Sequence, residues 1–155
     1  MLFNIDNALN AEVLYVLRAM GHGDEIVVCD TNFPADSVAQ QTVHGALLRM
    51  ENLTAARAIK AILSVMPLDS FVEHPAARME VMGKPKEVLP VAAEVQAEVD
   101  RVAKAQTGKD GWPLGTVERF AFYERAKQAY AVIVTGERRF YGCFILKKGV
   151  IPPAA

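Results

Sequence analysis

Apolar positions along this chain follow two patterns, one typical of helices and one typical of buried strands. Residues 10–20 carry valine, leucine and methionine at helical spacing, with Asn10 placed to cap the first turn and Gly21 placed to end the helix. The same spacing predicts three further helices, over residues 53–66, 85–106 and 120–129.

Short runs of β-branched and other apolar residues predict buried strands. These runs occupy residues 25–30, 78–82, 130–135 and 141–146. Because the last two runs are close in sequence, we expect them to pair as a hairpin. Strands interleaved with helices predict an α/β fold, a three-layer α/β/α arrangement around a mixed, mainly parallel sheet. The length suits a single domain over residues 1–155.

Composition narrows the classes of protein to which the chain could belong. The net charge is −1, from 17 basic and 18 acidic residues without a basic block, which argues against nucleic-acid and membrane partners. The hydrophobic fraction of 52% is high, so either the core is unusually apolar or some of that surface is buried between subunits. The amino-terminal residues do not resemble a secretory signal, and Cys29 and Cys143 are expected to be core thiols in a reducing cytoplasm.

The most promising candidate for chemistry is His22, which lies between two glycines just before a predicted strand. Glycines allow close approach of another molecule, and a histidine can accept and donate a proton near neutral pH. The alternative is a capping turn with an exposed, inert imidazole. Asp30 lies at the far end of the same strand, so it meets His22 only if the sheet edge curls or a neighbouring subunit supplies it.

Other titratable residues carry weaker signals. Asp24 and Glu25 are adjacent on a strand and point to opposite faces, so they cannot act on one atom. Cys29 lies in a core strand with nothing nearby to lower its pKa. His44 and His74 are isolated in sequence. We therefore expect no metal site and no cofactor.

A second candidate region combines aromatic and cationic side chains. Residues 119–126 read Arg-Phe-Ala-Phe-Tyr-Glu-Arg-Ala, which is either ordinary amphipathic packing or a platform with donors for sugar hydroxyls beside an aromatic face. Tyr141 and Cys143 open the last predicted strand and could join the same edge. The chain lacks the spacing of glycine-rich phosphate-binding loops.

Several motifs occur together in one order along the chain. They are residues 20–26, Asp30 with 33–35, 68–71, 119–126, 135–138, 141–142 and 146–150. In this combination the chain resembles the ribose pyranase / fucose mutarotase family. The segment 119–126 is similar to the fucose branch of that family.

The resemblance implies roles for individual residues. His22 matches the family's catalytic histidine, Asp30 a substrate-contacting aspartate, Arg119 the fucose-type arginine and Tyr141 a sugar-binding residue. Cys143 falls in the same site, at a position where fucose mutarotases carry an asparagine. The resemblance also implies a ring-shaped homo-oligomer, typically a decamer, with sites at subunit contacts.

The function implied is interconversion of the α and β anomers of a free aldose, L-fucose or a related sugar, by proton transfer through His22. Two alternatives remain open. The first is a non-catalytic monosaccharide-binding or sugar-transport accessory protein. The second is a structural or regulatory ring with a degenerate site, to which the cysteine at position 143 lends support.

Overall fold

Five helices and six strands follow one another in the computed structural model, which describes residues 2–153. They are α1 (Ala11–Ala19), β1 (Glu25–Cys29), α2 (Ala35–Ala39), β2 (Leu47–Met50), α3 (Ala55–Leu63), β3 (Ala76–Met79), α4 (Pro90–Thr107), β4 (Gly115–Val117), α5 (Arg119–Lys127), β5 (Ala131–Thr135) and β6 (Phe144–Lys147). Over this range no helix is both long enough and apolar enough to cross a bilayer.

The strands form one sheet in the order β2-β5-β1-β6-β3-β4. Only β6 runs antiparallel to its neighbours, β1 and β3; every other pairing is parallel. The predicted mixed, mainly parallel sheet is therefore confirmed.

The central strand β1 shows how the sheet is covered on both faces. Ile26 and Val28 pack into the apolar cluster made with α1, α3 and α4. Val27 and Cys29 point the other way, into the cluster made with α2 and α5. Successive side chains on a strand point to opposite faces, so a strand with apolar side chains on both faces needs a covering layer on each side. The sheet and its two helical layers form the predicted three-layer arrangement.

Polar side chains cap two of the predicted helices, and the cap at Asn10 was expected. The Asn10 side chain accepts a hydrogen bond from Val13 N at 2.9 Å and begins α1, and Thr54 caps α3 in the same way. The helix predicted over residues 85–106 corresponds to α4, which begins later than predicted, at Pro90. A proline fits the first helical position because the N–H it lacks would have no partner inside the helix.

The predicted hairpin between the last two strands is wrong. β1 lies between β5 and β6, paired parallel to β5 and antiparallel to β6. The connecting segment 136–143 crosses over the carboxyl end of β1, where Thr31 N donates to the Glu137 carbonyl at 2.9 Å. Proximity in sequence suggested direct pairing, but these eight residues are long enough to step over one strand.

The sequence patterns also missed α2, β2 and β4. These elements have five, four and three residues, and Arg49 on β2 is exposed within an otherwise apolar run. Segments this short carry too few positions for a period to be read. They form because neighbouring strands and helices supply their partners.

Candidate functional site

A cavity of about 450 Å³ opens at the carboxyl edge of the parallel strands, on the face covered by α2 and α5. It is lined by Asp30, Asn32, Phe33, Met79, Arg119, Tyr123, Phe140, Tyr141 and Cys143. Binding sites in open α/β sheets commonly occupy this edge, and the volume suits a small molecule. Four of the five residues predicted for the site therefore line one cavity.

Asp30 forms the polar floor of this cavity and is only 4% exposed. Its Oδ1 accepts hydrogen bonds from the backbone N–H groups of Asn32 (2.9 Å) and Phe33 (3.1 Å). Its Oδ2 accepts from Gly142 N at 3.0 Å and from the Cys143 thiol at 3.4 Å. Four donors thus fix the carboxylate at the end of β1 and join β1 to the segment that precedes β6.

Arg119 and Tyr123 form a wall of the cavity at the start of α5. Glu118 caps this helix by accepting from Phe120 N and Ala121 N, and these bonds lower the pKa of its carboxyl group. Arg119 Nε donates to the Tyr123 hydroxyl at 3.0 Å, and its guanidinium lies 5.7 Å from the Tyr123 ring centroid. Within residues 2–153 no carboxylate pairs with this guanidinium, which leaves its other N–H groups available to a ligand.

The segment before β6 supplies the opposite wall. Tyr141 has a φ of +59°, a left-handed conformation uncommon for a residue with a side chain, and its hydroxyl accepts from Met82 N at 3.2 Å. Burial raises the pKa of the Cys143 thiol well above its ordinary value, so the group stays protonated and donates to Asp30. Cys143 therefore supports the carboxylate.

An ion-pair network holds this segment in place. Glu137 is 3% exposed, and both of its carboxylate oxygens accept from the Arg139 guanidinium at 2.9 and 2.8 Å. Arg139 also binds Glu94 on α4 through two further hydrogen bonds. The side-chain bond from Arg139 lowers the pKa of Glu137 to about 2. Sequence reasoning noted residues 135–138 as a motif but did not recognise this supporting role.

His22 lies outside the cavity, before the amino end of β1. Five strand residues at about 3.3 Å each separate the two ends of β1, so His22 and Asp30 do not meet within one chain. The imidazole is exposed, with Nε2 3.2 Å from Asp69 Oδ1 and its ring 5.6 Å from the Phe71 ring. The carboxylate beside His22 is therefore Asp69 rather than Asp30.

The side chains of Asp24, Glu25 and Cys29 are hydrogen-bonded or buried within the protein. Asp24 Oδ2 accepts from Gly21 N at 2.7 Å, whereas Glu25 binds Arg125 and Lys147. Cys29 is a buried free thiol whose pKa is raised by burial. Among residues 2–153 no group of three or more histidine, cysteine or acidic side chains could hold a metal ion.

Several cavity residues were not identified from the sequence: Asn32, Phe33, Met79, Tyr123 and Phe140. Phe33 and Tyr123 belong to the motifs quoted above, so their positions gave a signal without indicating contact. Their rings lie 5.4 Å apart in the structure. Met79 ends β3, and only the strand order brings it to the cavity.

The fold and the cavity together define a class: a single-domain α/β protein with a cavity of small-molecule size at the carboxyl edge of its sheet. The model of the RbsD / FucU transport protein family matches residues 3–151. The chain belongs to this family.

Individual relatives agree with that assignment. The fucose mutarotase of Homo sapiens is 44% identical over 147 residues, 92% of this chain and 90% of the relative. The crystal structure of protein Atu2016 is 61% identical, with a TM-score of 0.92 and coverage of 98% of this chain and 97% of that one. The Streptococcus pneumoniae fucose mutarotase, solved with L-fucose, is 34% identical with a TM-score of 0.78, covering 97% and 100%.

Proposed function

We propose that this protein is a monosaccharide mutarotase that interconverts the anomers of L-fucose or a closely related aldose in the cytoplasm. The observation that carries the proposal is the cavity in which Asp30, Arg119 and Tyr141 converge, in a chain 34% identical over 97% of its length to a mutarotase solved with L-fucose. Carboxylate, guanidinium and phenol groups supply both acceptors and donors for sugar hydroxyls, and the Phe33 and Tyr123 rings offer an apolar face.

Mutarotation needs proton transfer and no redox change. The anomeric hydroxyl loses a proton while the bond between C1 and the ring oxygen breaks, and its electron pair passes to the ring oxygen, which takes up a proton. Rotation about the C1–C2 bond and closure on the other face give the second anomer. We assign the proton transfer to His22, and hydrogen bonding of the sugar to Asp30, Arg119 and Tyr141.

His22 and the cavity lie at opposite edges of the sheet, so this assignment requires two subunits at each site. Exposed aromatic rings flank both regions: Phe71 (73% exposed) packs against His22, and Phe140 (73% exposed) lines the cavity. Contact between two different surfaces of successive copies closes into a ring when the rotation permits. We propose such a ring, a decamer, with His22 of one subunit facing the cavity of the next.

The first test is the rate at which the His22→Ala variant exchanges fucose anomers. General acid–base assistance is worth about 10²–10⁴-fold, and we expect a loss in that range with sugar binding retained. Saturation-transfer NMR measures the exchange and titration calorimetry the binding. His44→Ala, which replaces a histidine outside the cavity, should exchange anomers at the wild-type rate. An unchanged exchange rate in His22→Ala would remove the proton-transfer role of His22, whereas saturable sugar binding by a wild-type protein that does not accelerate exchange would favour the non-catalytic sugar-binding alternative.

Mixing two inactive variants tests whether each site is shared. His22→Ala and Arg119→Ala rings, dissociated and reassembled together at equal amounts, should recover roughly a quarter of wild-type exchange, because random neighbours complete one site in four. Each variant treated alone is the control. If both residues served one site from the same chain, mixing would restore nothing.

A further inference from the structure

Asp69 is a buried carboxylate held against an exposed histidine. Its side chain is 5% exposed, whereas that of His22 is 46% exposed, and Asp69 Oδ1 lies 3.2 Å from His22 Nε2. The same oxygen accepts from Phe71 N at 3.1 Å, and Asp69 N donates to the Lys147 carbonyl at 3.1 Å. Asp69 is thus fastened to the sheet by its backbone and to its own turn by its side chain.

This arrangement distinguishes the two nitrogens of the His22 ring. An ionised carboxylate can only accept hydrogen bonds, so the nitrogen facing it, Nε2, carries the proton of the neutral imidazole. Within residues 2–153, Nδ1 has no hydrogen-bond partner. The Phe71 ring lies beside the imidazole in an edge-to-face arrangement, with 5.6 Å between the ring centroids.

We propose that Asp69 is a positioning residue for His22, an inference that rests on the function proposed above. Asp69 holds the imidazole as its Nε2–H tautomer and leaves Nδ1 to take the proton of the anomeric hydroxyl. Once Nδ1 is protonated, the adjacent carboxylate stabilises the imidazolium. Nδ1 then gives this proton to the ring oxygen of the opened sugar, and on closure it takes the proton back from that oxygen and returns it to the anomeric oxygen. Asp69 does not exchange a proton itself, as in other carboxylate–histidine pairs.

A spectroscopic signature tests the hydrogen bond independently of activity. One-bond ¹H–¹⁵N spectra of the imidazoles should show a slowly exchanging Nε2–H of His22. His74 provides an internal control of the opposite kind, since its Nδ1 lies 2.9 Å from the Pro113 carbonyl and should carry the proton. In Asp69→Ala the His22 signal should disappear while that of His74 persists.

A charge-neutral variant separates positioning from folding. Asp69→Asn keeps an oxygen that can accept from both Nε2–H and Phe71 N, so the turn and the tautomer should persist without the negative charge. Asp24→Asn is the matched control. Asp24 accepts a hydrogen bond from Gly21 N in the turn that contains His22, but it does not contact the imidazole. All variants are compared as assembled protein, with circular dichroism as the check on folding.

The expected order of anomer exchange rates is wild type and Asp24→Asn, then Asp69→Asn, then Asp69→Ala. We expect a loss of about tenfold for Asp69→Asn and about 100-fold for Asp69→Ala, within the range available to acid–base assistance. An unchanged rate in Asp69→Ala while His22→Ala is slow would overturn the proposal, as would a His22 proton on Nδ1. Wild-type exchange in His22→Ala would instead remove the catalytic assignment of His22, and the imidazole spectra would still decide which nitrogen Asp69 holds.

Discussion

Replacing Asp30 with asparagine is expected to destabilise the protein by about 2–4 kcal/mol and to abolish sugar binding. All four groups around this carboxylate are donors: three backbone N–H groups and the Cys143 thiol. An asparagine of the same shape can offer an oxygen to only part of this set and must turn its own N–H₂ toward the rest. The Gly142 N–H then lies buried without an acceptor.

Urea unfolding and calorimetric titration with L-fucose measure the two effects separately. Asp36→Asn is the matched control, since Asp36 is an exposed residue of α2 that accepts from its helical neighbour Gln40. It should change the free energy of unfolding by less than about 0.5 kcal/mol and leave binding intact. Equal stability of the Asp30 and Asp36 variants would contradict the four-donor account of the cavity floor.

Glu137→Gln is the second variant with a large expected effect. Near neutral pH we expect it to lower the free energy of unfolding by up to about 3 kcal/mol. The pKa of Glu137 falls from an ordinary 4.5 to about 2, chiefly through its hydrogen bonds with Arg139, and each unit corresponds to about 1.4 kcal/mol. The variant should also bind sugar more weakly, because Glu137 anchors the segment that carries Tyr141 and Cys143. Glu94→Gln, which touches the same arginine from an exposed position, should cost less than about 1 kcal/mol.

The contribution of Glu137 has a definite dependence on pH. A carboxyl group whose pKa is lower in the folded state stabilises the protein fully above its unfolded pKa. That stability disappears as the pH falls from about 4.5 to about 2. The difference in unfolding free energy between wild type and Glu137→Gln should therefore shrink over this interval in urea titrations at successive pH values. A difference that stays constant would show that shape, rather than charge, explains the loss.

The Asp30 and Glu137 variants both affect the segment 136–143, which crosses over the end of β1. Residues 136–143 pass over the end of β1 and are held there by Glu137 on one side and Asp30 on the other. A side chain at Gly142 would place its Cβ 2.7 Å from Glu137 Cγ and 3.3 Å from Asp30 Cβ. The cavity floor, the ion pair and the close approach at Gly142 are thus one packed unit.

Local patterns identified the longer elements because their signals lie within a few residues of each other. Asn10 and Thr54 cap helices through bonds to residues three positions ahead, and the apolar run of β1 requires burial on both faces wherever the strand lies. The fold class followed from the alternation of such segments. The motifs around Asp30, Arg119 and Tyr141 predicted a sugar site through their resemblance to the ribose pyranase / fucose mutarotase family.

Tertiary structure alone decided which strands are neighbours, and through them which side chains meet. The strand order places β1 between β5 and β6, and this brings Asp30 to Gly142 and Cys143, more than 100 positions away in sequence. The same order leaves His22 at the other edge, beside Asp69. Such contacts depend on pairing and packing between distant segments, whereas the sequence by itself determined caps, periods and the residue types available for chemistry.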